Sequence, residues 1–126
     1  MSLFGKIFGD KSDNETTKPS FWKVLENEND LKKAIEESEN NPVAIFKHST
    51  RCFISKTVLR NFENEVHEKK DTTANFYFLD LIKYREISNK IAEDFDVRHE
   101  SPQLIVFENG KVKNSASHQD ISIDQI

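Results

Sequence analysis

Short apolar runs bounded by turn residues predict five strands along the chain. Residues 21–25, FWKVL, alternate like a short strand, whereas the continuous apolar run Val43–Phe46 is typical of a central strand buried on both faces. Residues 75–81, NFYFLDL, predict a third strand, and residues 104–107, LIVF, predict a fourth. The fifth begins near Val112, directly after a turn.

Three segments between these strands carry apolar residues at helical spacing, which predicts amphipathic helices. Asn29 and Asp30 offer capping oxygens to the first helix, and the second is expected to begin at or near Cys52 and to run toward His67. The three apolar faces are Leu31, Ala34, Ile35 and Ser38; Ile54, Val58, Phe62 and Val66; and Tyr84, Ile87, Ile91 and Phe95.

The order of elements is therefore β-α-β-α-β-α-β-β, which predicts an α/β fold with helices on both faces of a mostly parallel sheet. Asn109–Gly110 lies between two strand-like runs and predicts a tight hairpin, which would add one antiparallel strand at an edge of the sheet. Ser122, with Gln125 three residues later, looks like a capping box that opens one more helix.

The composition of the chain disfavours several classes of function. The chain has 126 residues, a net charge of −4 and a pI near 5.6, which disfavours a protein that binds nucleic acid through phosphate contacts. Its single cysteine cannot form an internal disulfide or a zinc site built from several thiolates. The length fits a single domain, which is expected to be a monomer. No stretch approaches the roughly 20 apolar residues of a membrane span, and a reducing, cytoplasmic location is expected.

The first twenty residues form a separate segment. Leu3, Phe4, Ile7 and Phe8 share one helical face, which allows a helix that docks on a membrane surface or a partner. The polar sequence that follows favours a flexible tail instead. We therefore expect a tail over residues 1–20 and one domain over residues 21–126.

Cys52 is the strongest candidate for chemistry, because it lies between a buried strand and the first turn of a helix. The unpaired amides of that turn stabilise a thiolate over a thiol, and Arg51, Lys47 and Lys56 add positive charge nearby. His48 approaches from the end of the strand. A lone cysteine is more often a small buried hydrophobe, but Cys52 lies outside the apolar stripes, at the carboxyl end of a strand. A reactive thiol is the favoured interpretation.

The stretch FKHSTRCFIS, residues 46–55, with Ser101-Pro102-Gln103 about fifty residues later, resembles the monothiol bacilliredoxins, the YtxJ-like bacillithiol-system proteins of the thioredoxin superfamily. The resemblance covers residue 21 to the end of the chain. It implies a thioredoxin-like fold: a central mixed β-sheet flanked by helices, with a C-terminal helix that is short or truncated. Ser55 stands where a thioredoxin carries its second, resolving cysteine, and Phe53 stands where the family commonly has proline.

The resemblance also implies an activity, the reduction of mixed disulfides between bacillithiol and protein cysteines. Cys52 would be catalytic, supported by His48, Thr50, Arg51 and Ser55, whose hydroxyl is within reach of the sulfur. Ser101, Pro102 and Lys47 would bind substrate, with Pro102 in the cis form. No bound cofactor is implied; bacillithiol is the co-substrate, and the partners are bacillithiolated client proteins.

Two other functions are compatible with the sequence. One is a monothiol glutaredoxin-like carrier of an iron–sulfur cluster, and the other is a thioredoxin-fold binding module without turnover. The histidines at positions 48, 67, 99 and 118 match no compact metal-ligand spacing, so no metal site is predicted and all four are expected at the surface.

Overall fold

The computed structural model describes residues 21–69 and 72–126, and within them five strands form one mixed sheet. The strands are β1 (Trp22–Val24), β2 (Val43–His48), β3 (Asn75–Asp80), β4 (Gln103–Glu108) and β5 (Lys111–Ser117). The helices are α1 (Glu28–Glu37), α2 (Phe53–Glu68) and α3 (Arg85–Asp94), and two 3-10 turns, His118–Asp120 and Ile123–Gln125, follow β5. The tail predicted over residues 1–20 lies outside the described residues.

The sheet is mixed, as the resemblance implied, but the direction of β4 corrects the prediction of one antiparallel strand at an edge. In the order β1-β3-β2-β4-β5, the first three strands are parallel, but β4 runs antiparallel to β2 as well as to β5. The hairpin therefore contributes an internal antiparallel strand, and not only one strand at the edge. The reason is the segment 95–102, which returns the chain to the carboxyl ends of the parallel strands, so that Gln103 begins β4 opposite Lys47.

The two faces of the sheet bury separate apolar clusters. On one face, alternate residues of the central strands pack against α1 and α3, and on the other they pack against α2. The first cluster includes Val43, Ile45, Leu79, Ile91 and Ile105, and the second includes Ala44, Phe46, Val58, Phe62 and Val106. This double coverage explains why β2 has a continuous apolar run, since successive side chains of a strand point to opposite faces.

The helix ends follow the predicted chemistry with two adjustments. The cap of α1 is Asn27, whose side chain accepts a hydrogen bond from the amide of Asp30 at 2.8 Å, two residues before the predicted caps. In α2 the predicted apolar face is buried at Val58, Phe62 and Val66, but its first residue, Ile54, is 49% exposed. None of the helices that the structure describes has the length and apolar character to cross a bilayer.

The segment after β5 packs on the same face as α2. Ile121 joins the apolar cluster of that face, and the amide of Ile123 donates to Glu65 Oε1 at 2.8 Å. The predicted capping box is confirmed: Ser122 Oγ accepts from the amide of Asp124, and Gln125 Oε1 accepts from the amide of Ser122. It opens a single 3-10 turn over Ile123–Gln125.

Ser38 joins the end of α1 to the β4–β5 turn. Asn109 and Gly110 both have positive φ, 56° and 76°, as the predicted tight hairpin requires. The carbonyl of Ser38 accepts from the amide of Asn109 at 2.7 Å, and its buried hydroxyl accepts from the amide of Gly110 at 2.9 Å. The same hydroxyl donates to the carbonyl of Ile35, so this small polar residue on the apolar face of α1 has all its groups paired.

Replacing Ser38 with alanine is expected to lower the free energy of unfolding by about 1–3 kcal/mol. The reason is that the amide of Gly110 loses the buried Ser38 hydroxyl as its hydrogen-bond acceptor. Urea denaturation of the variant, compared with wild type, measures the effect. Ser115→Ala, at an exposed position of β5, is the matched control and should change stability by less than about 0.5 kcal/mol. Equal losses in the two variants would contradict a role for the Ser38 hydroxyl.

Candidate functional site

Cys52 lies at the N-terminus of α2, as its sequence context predicted. It is the N-cap residue, with extended backbone (φ −105°, ψ 120°), and it is a free, partly exposed thiol. Its carbonyl accepts from the amide of Lys56, which closes the first turn of the helix. That turn contains no acidic residue, so no carboxylate competes with the sulfur for the positive end of the helix. The sulfur therefore lies at the positive end of α2 without a neighbouring carboxylate in that turn.

The Ser55 hydroxyl is held by the strand end and is not directed to the thiol. Ser55 is fully buried, its Oγ lies 2.8 Å from Nδ1 of His48, and the amide of Ser49 donates to the same oxygen at 3.2 Å. Among the described residues, no hydrogen bond joins Ser55 to Cys52, so the contact proposed from the sequence is not formed in this structure. Ser55 instead ties the first turn of α2 to the end of β2 and thereby fixes the loop that carries Cys52.

His48 is buried, at 4% exposure, which corrects its predicted surface location. Its ring packs against Phe46 and Phe78 on the α2 face of the sheet, and its carbonyl accepts from the amide of Leu81 at 3.0 Å. A buried imidazole needs a polar partner. The Ser55 hydroxyl provides one.

The Ser101–Pro102 peptide bond is cis, as the resemblance implied. Pro102 is buried and directly precedes Gln103, the residue of β4 that pairs with Lys47. This register places the Ser101–Pro102 segment at the end of β2 where the Cys52 loop begins. Of the buried side-chain oxygens and nitrogens in residues 21–69 and 72–126, only the Oγ of Ser101 lacks a hydrogen-bond partner.

Lys47 is buried, which does not fit its predicted role as a charged residue that contacts substrate. Its side chain is fully buried on the α3 side of the sheet, opposite to α2, and its Nζ donates to the carbonyl of Ser88 at 3.2 Å. Burial lowers the pKa of the Lys47 ammonium to about 8. Because its side chain points away from the face that carries α2, it does not fit a contact with the carboxylates of a bound thiol.

His99 and Ser88 complete a polar cluster that the sequence did not predict. His99 Nδ1 lies 3.5 Å from Lys47 Nζ and 3.3 Å from Ser88 Oγ. Burial and the neighbouring positive charges of Lys47 and Arg85 lower the pKa of His99. His99 is partly buried, which corrects its predicted surface position, and no local pattern could have shown that it meets a residue 52 positions away.

The remaining predicted residues surround the thiol at the surface. Thr50 and Arg51 are exposed in the loop before Cys52, and Phe53 is 80% exposed at the start of α2. With Ile54, Phe53 forms an apolar surface next to the sulfur. His67 and His118 are exposed, and within the described part of the chain no three histidine, cysteine, aspartate or glutamate residues are grouped so as to hold a metal ion.

Solved structures similar to this chain have thioredoxin folds. A protein described as a candidate oxidoreductase with a thioredoxin fold is 30% identical, with a TM-score of 0.73, over 84% of this chain and 90% of its own. Thioredoxin from Nicotiana alata is 16% identical, with a TM-score of 0.65, over 84% and 88% of the two chains. Thioredoxin from Fasciola hepatica is 20% identical, with a TM-score of 0.60, over 77% and 86%. The last two similarities establish the fold alone.

A family model described as monothiol bacilliredoxin BrxC matches residues 23–126. The match includes the buried strand β2, the Cys52 loop and the cis-proline, which are the elements that build the site. Together with the thioredoxin-like oxidoreductase fold, it identifies a thiol redox protein. The chain belongs to the monothiol bacilliredoxin family.

Proposed function

We propose that this chain removes bacillithiol from protein cysteines by a single thiol–disulfide exchange at Cys52. The observation that carries the proposal is the position of the only cysteine in the chain. It caps a helix that has no acidic residue in its first turn, and it lies at the same edge of the sheet as the cis Ser101–Pro102 peptide. Family membership supplies the class of reaction.

The exchange makes one disulfide and breaks another. The Cys52 thiolate attacks the bacillithiol sulfur of a mixed disulfide, a new disulfide forms between Cys52 and bacillithiol, and the client cysteine leaves as a thiolate that takes a proton from water. A thiolate is the nucleophile in such exchanges, and Cys52 stands at the positive end of α2. The exchange converts one disulfide and one thiolate into another disulfide and another thiolate. It therefore involves no net oxidation or reduction and needs no bound redox cofactor.

A second thiol must then regenerate the protein. The chain has no other cysteine, and the side chain at the usual resolving position is the Ser55 hydroxyl, which is already paired with His48. Free bacillithiol or a separate redoxin would attack the Cys52 adduct and release a bacillithiol disulfide or a mixed disulfide with the redoxin. Such a cycle suits a reducing compartment such as the cytoplasm.

Substrate contacts follow from the surroundings of the sulfur. The Arg51 guanidinium is exposed beside Cys52 and is suited to the carboxylates of a small thiol, and the Thr50 hydroxyl lies next to it. Phe53 and Ile54 offer apolar area to the polypeptide of a bacillithiolated client. Ser101 would pair with that polypeptide across the loop. Lys47 is left out of this set because of its buried position.

Incubation with a bacillithiolated test protein is expected to release the client thiol and to leave one bacillithiol on Cys52. Intact-mass spectrometry measures both products, and Cys52→Ser, which has no thiolate, should form neither. A charge-assisted contact through Arg51 predicts that Arg51→Gln lowers the rate by about tenfold, and the same client carrying glutathione measures selectivity. Equal rates with both modifications would contradict the preference for bacillithiol, and an unmodified Cys52 after incubation would contradict the reaction itself.

Ser55→Cys is expected to turn the one-thiol site into a two-thiol site. The Cys52–bacillithiol adduct of this variant should lose bacillithiol without any added thiol, because the new sulfur lies one helical turn from Cys52 and can form an internal disulfide. The time course of adduct loss, followed by mass spectrometry, is the measurement.

Thr57→Cys is the matched control, since residue 57 is exposed on the same helix and farther from Cys52 along it. Its adduct should persist until a thiol is added. Persistence of the adduct in Ser55→Cys as well would contradict the assignment of residue 55 to the resolving position.

A further inference from the structure

We propose that Lys47 is a positioning residue for this reaction: through His99, its buried side chain holds the 98–102 loop in place beside the Cys52 loop. The kinetic part of this inference rests on the proposed function, whereas its structural part does not.

The first support is the set of contacts around the ammonium group. Lys47 has no exposed surface, and its Nζ donates to the carbonyl of Ser88 in α3 at 3.2 Å. His99 Nδ1 lies 3.5 Å from Nζ and 3.3 Å from the Ser88 hydroxyl. One buried side chain of β2 therefore joins helix α3 to the loop that leads into the cis-proline.

Gln103, the first residue of β4, also holds the loop. Gln103, which pairs with Lys47 across the β2–β4 ladder, is buried, and its Nε2 donates to the carbonyl of Arg98 at 2.9 Å. Its Oε1 accepts from the amide of Glu100 at 3.4 Å. The residues on both sides of His99 are thus fixed by Gln103, while His99 itself is fixed by Lys47. Ser101 and Pro102 directly follow these residues in the chain, so their position depends on the same contacts.

The charges around the cluster make the arrangement sensitive to protonation. His99 faces two cations, Lys47 and Arg85, and one carboxylate, Glu100, which also accepts a hydrogen bond from the Ser117 hydroxyl. Burial and the two cations lower the pKa of His99, so Nδ1 of its neutral ring can accept a hydrogen bond from the Lys47 ammonium. Protonation of His99 removes this acceptor and puts two positive charges 3.5 Å apart. The folded state therefore opposes charging of His99, and the loop loses its anchor as the pH falls.

Lys47→Met tests this directly, with Lys33→Met on the exposed side of α1 as the matched control. An NMR titration of the four histidines is expected to give a higher pKa for His99 in Lys47→Met, because a neighbouring positive charge is gone, with the other three unchanged. The amide signals of Ser101 and Gln103 should shift in the same variant. Lys33→Met should reproduce wild type in every measurement.

The kinetic measurement separates positioning from the ionisation of Cys52. The rate with a bacillithiolated protein is divided by the rate of alkylation with iodoacetamide, which needs the thiolate but not the loop. This ratio is expected to fall on the order of tenfold to a hundredfold in Lys47→Met, because a displaced loop misaligns the substrate. In wild type it should also decline on the acid side, and His99→Gln, which keeps an acceptor for Lys47 but cannot titrate, should remove that decline.

An unchanged His99 titration and an unchanged ratio in Lys47→Met would overturn the inference. If that variant fails to fold, an acid-side decline that persists in His99→Gln overturns it instead. Failure of the proposed function has a different signature, namely absence of reaction between wild type and the bacillithiolated protein. In that case the His99 titration and the Ser101 amide signal still decide whether Lys47 holds the loop.

Discussion

The organisation of this protein depends on one strand, β2, that is buried along its whole length between two layers of helices. In such a strand each side chain points to the opposite face from its neighbours. Phe46 and His48 therefore face α2, and Lys47 between them faces α3. This alternation divides the polar residues at the end of the strand into two groups with separate tasks.

On the α2 face, a hydrogen bond between His48 and Ser55 joins β2 to α2 across the Cys52 loop. On the α3 face, Lys47 contacts His99 and Gln103 binds the carbonyl of Arg98, and together they hold the loop before the cis-proline. A buried polar group that loses its partner costs about 1–3 kcal/mol, so both loops are strongly restrained. The Cys52 side chain makes no capping hydrogen bond, and its sulfur is a free, partly exposed thiol.

The local pattern was sufficient for the succession of elements and for the placement of Cys52 at a helix start, because both depend on residues close in sequence. The cis form of Pro102 came from the resemblance to bacilliredoxins and not from periodicity. The direction of β4 was not accessible from the pattern, since a strand buried on both faces has the same apolar run whether its neighbours are parallel or antiparallel. Ile54 matched the apolar stripe of α2 but lies in the first turn, above the covered part of the sheet, and is half exposed.

The sequence by itself determined that this is an α/β protein with one thiol and that this thiol begins a helix, since composition and hydrophobic spacing are local properties. Only the tertiary structure decided which polar side chains meet. Ser55 pairs with His48 and not with Cys52, and Lys47 is buried against His99 although 52 positions separate the two. Those contacts depend on how the helices cover each face of the sheet and on where the 95–102 segment returns to it, and no spacing along the chain encodes either.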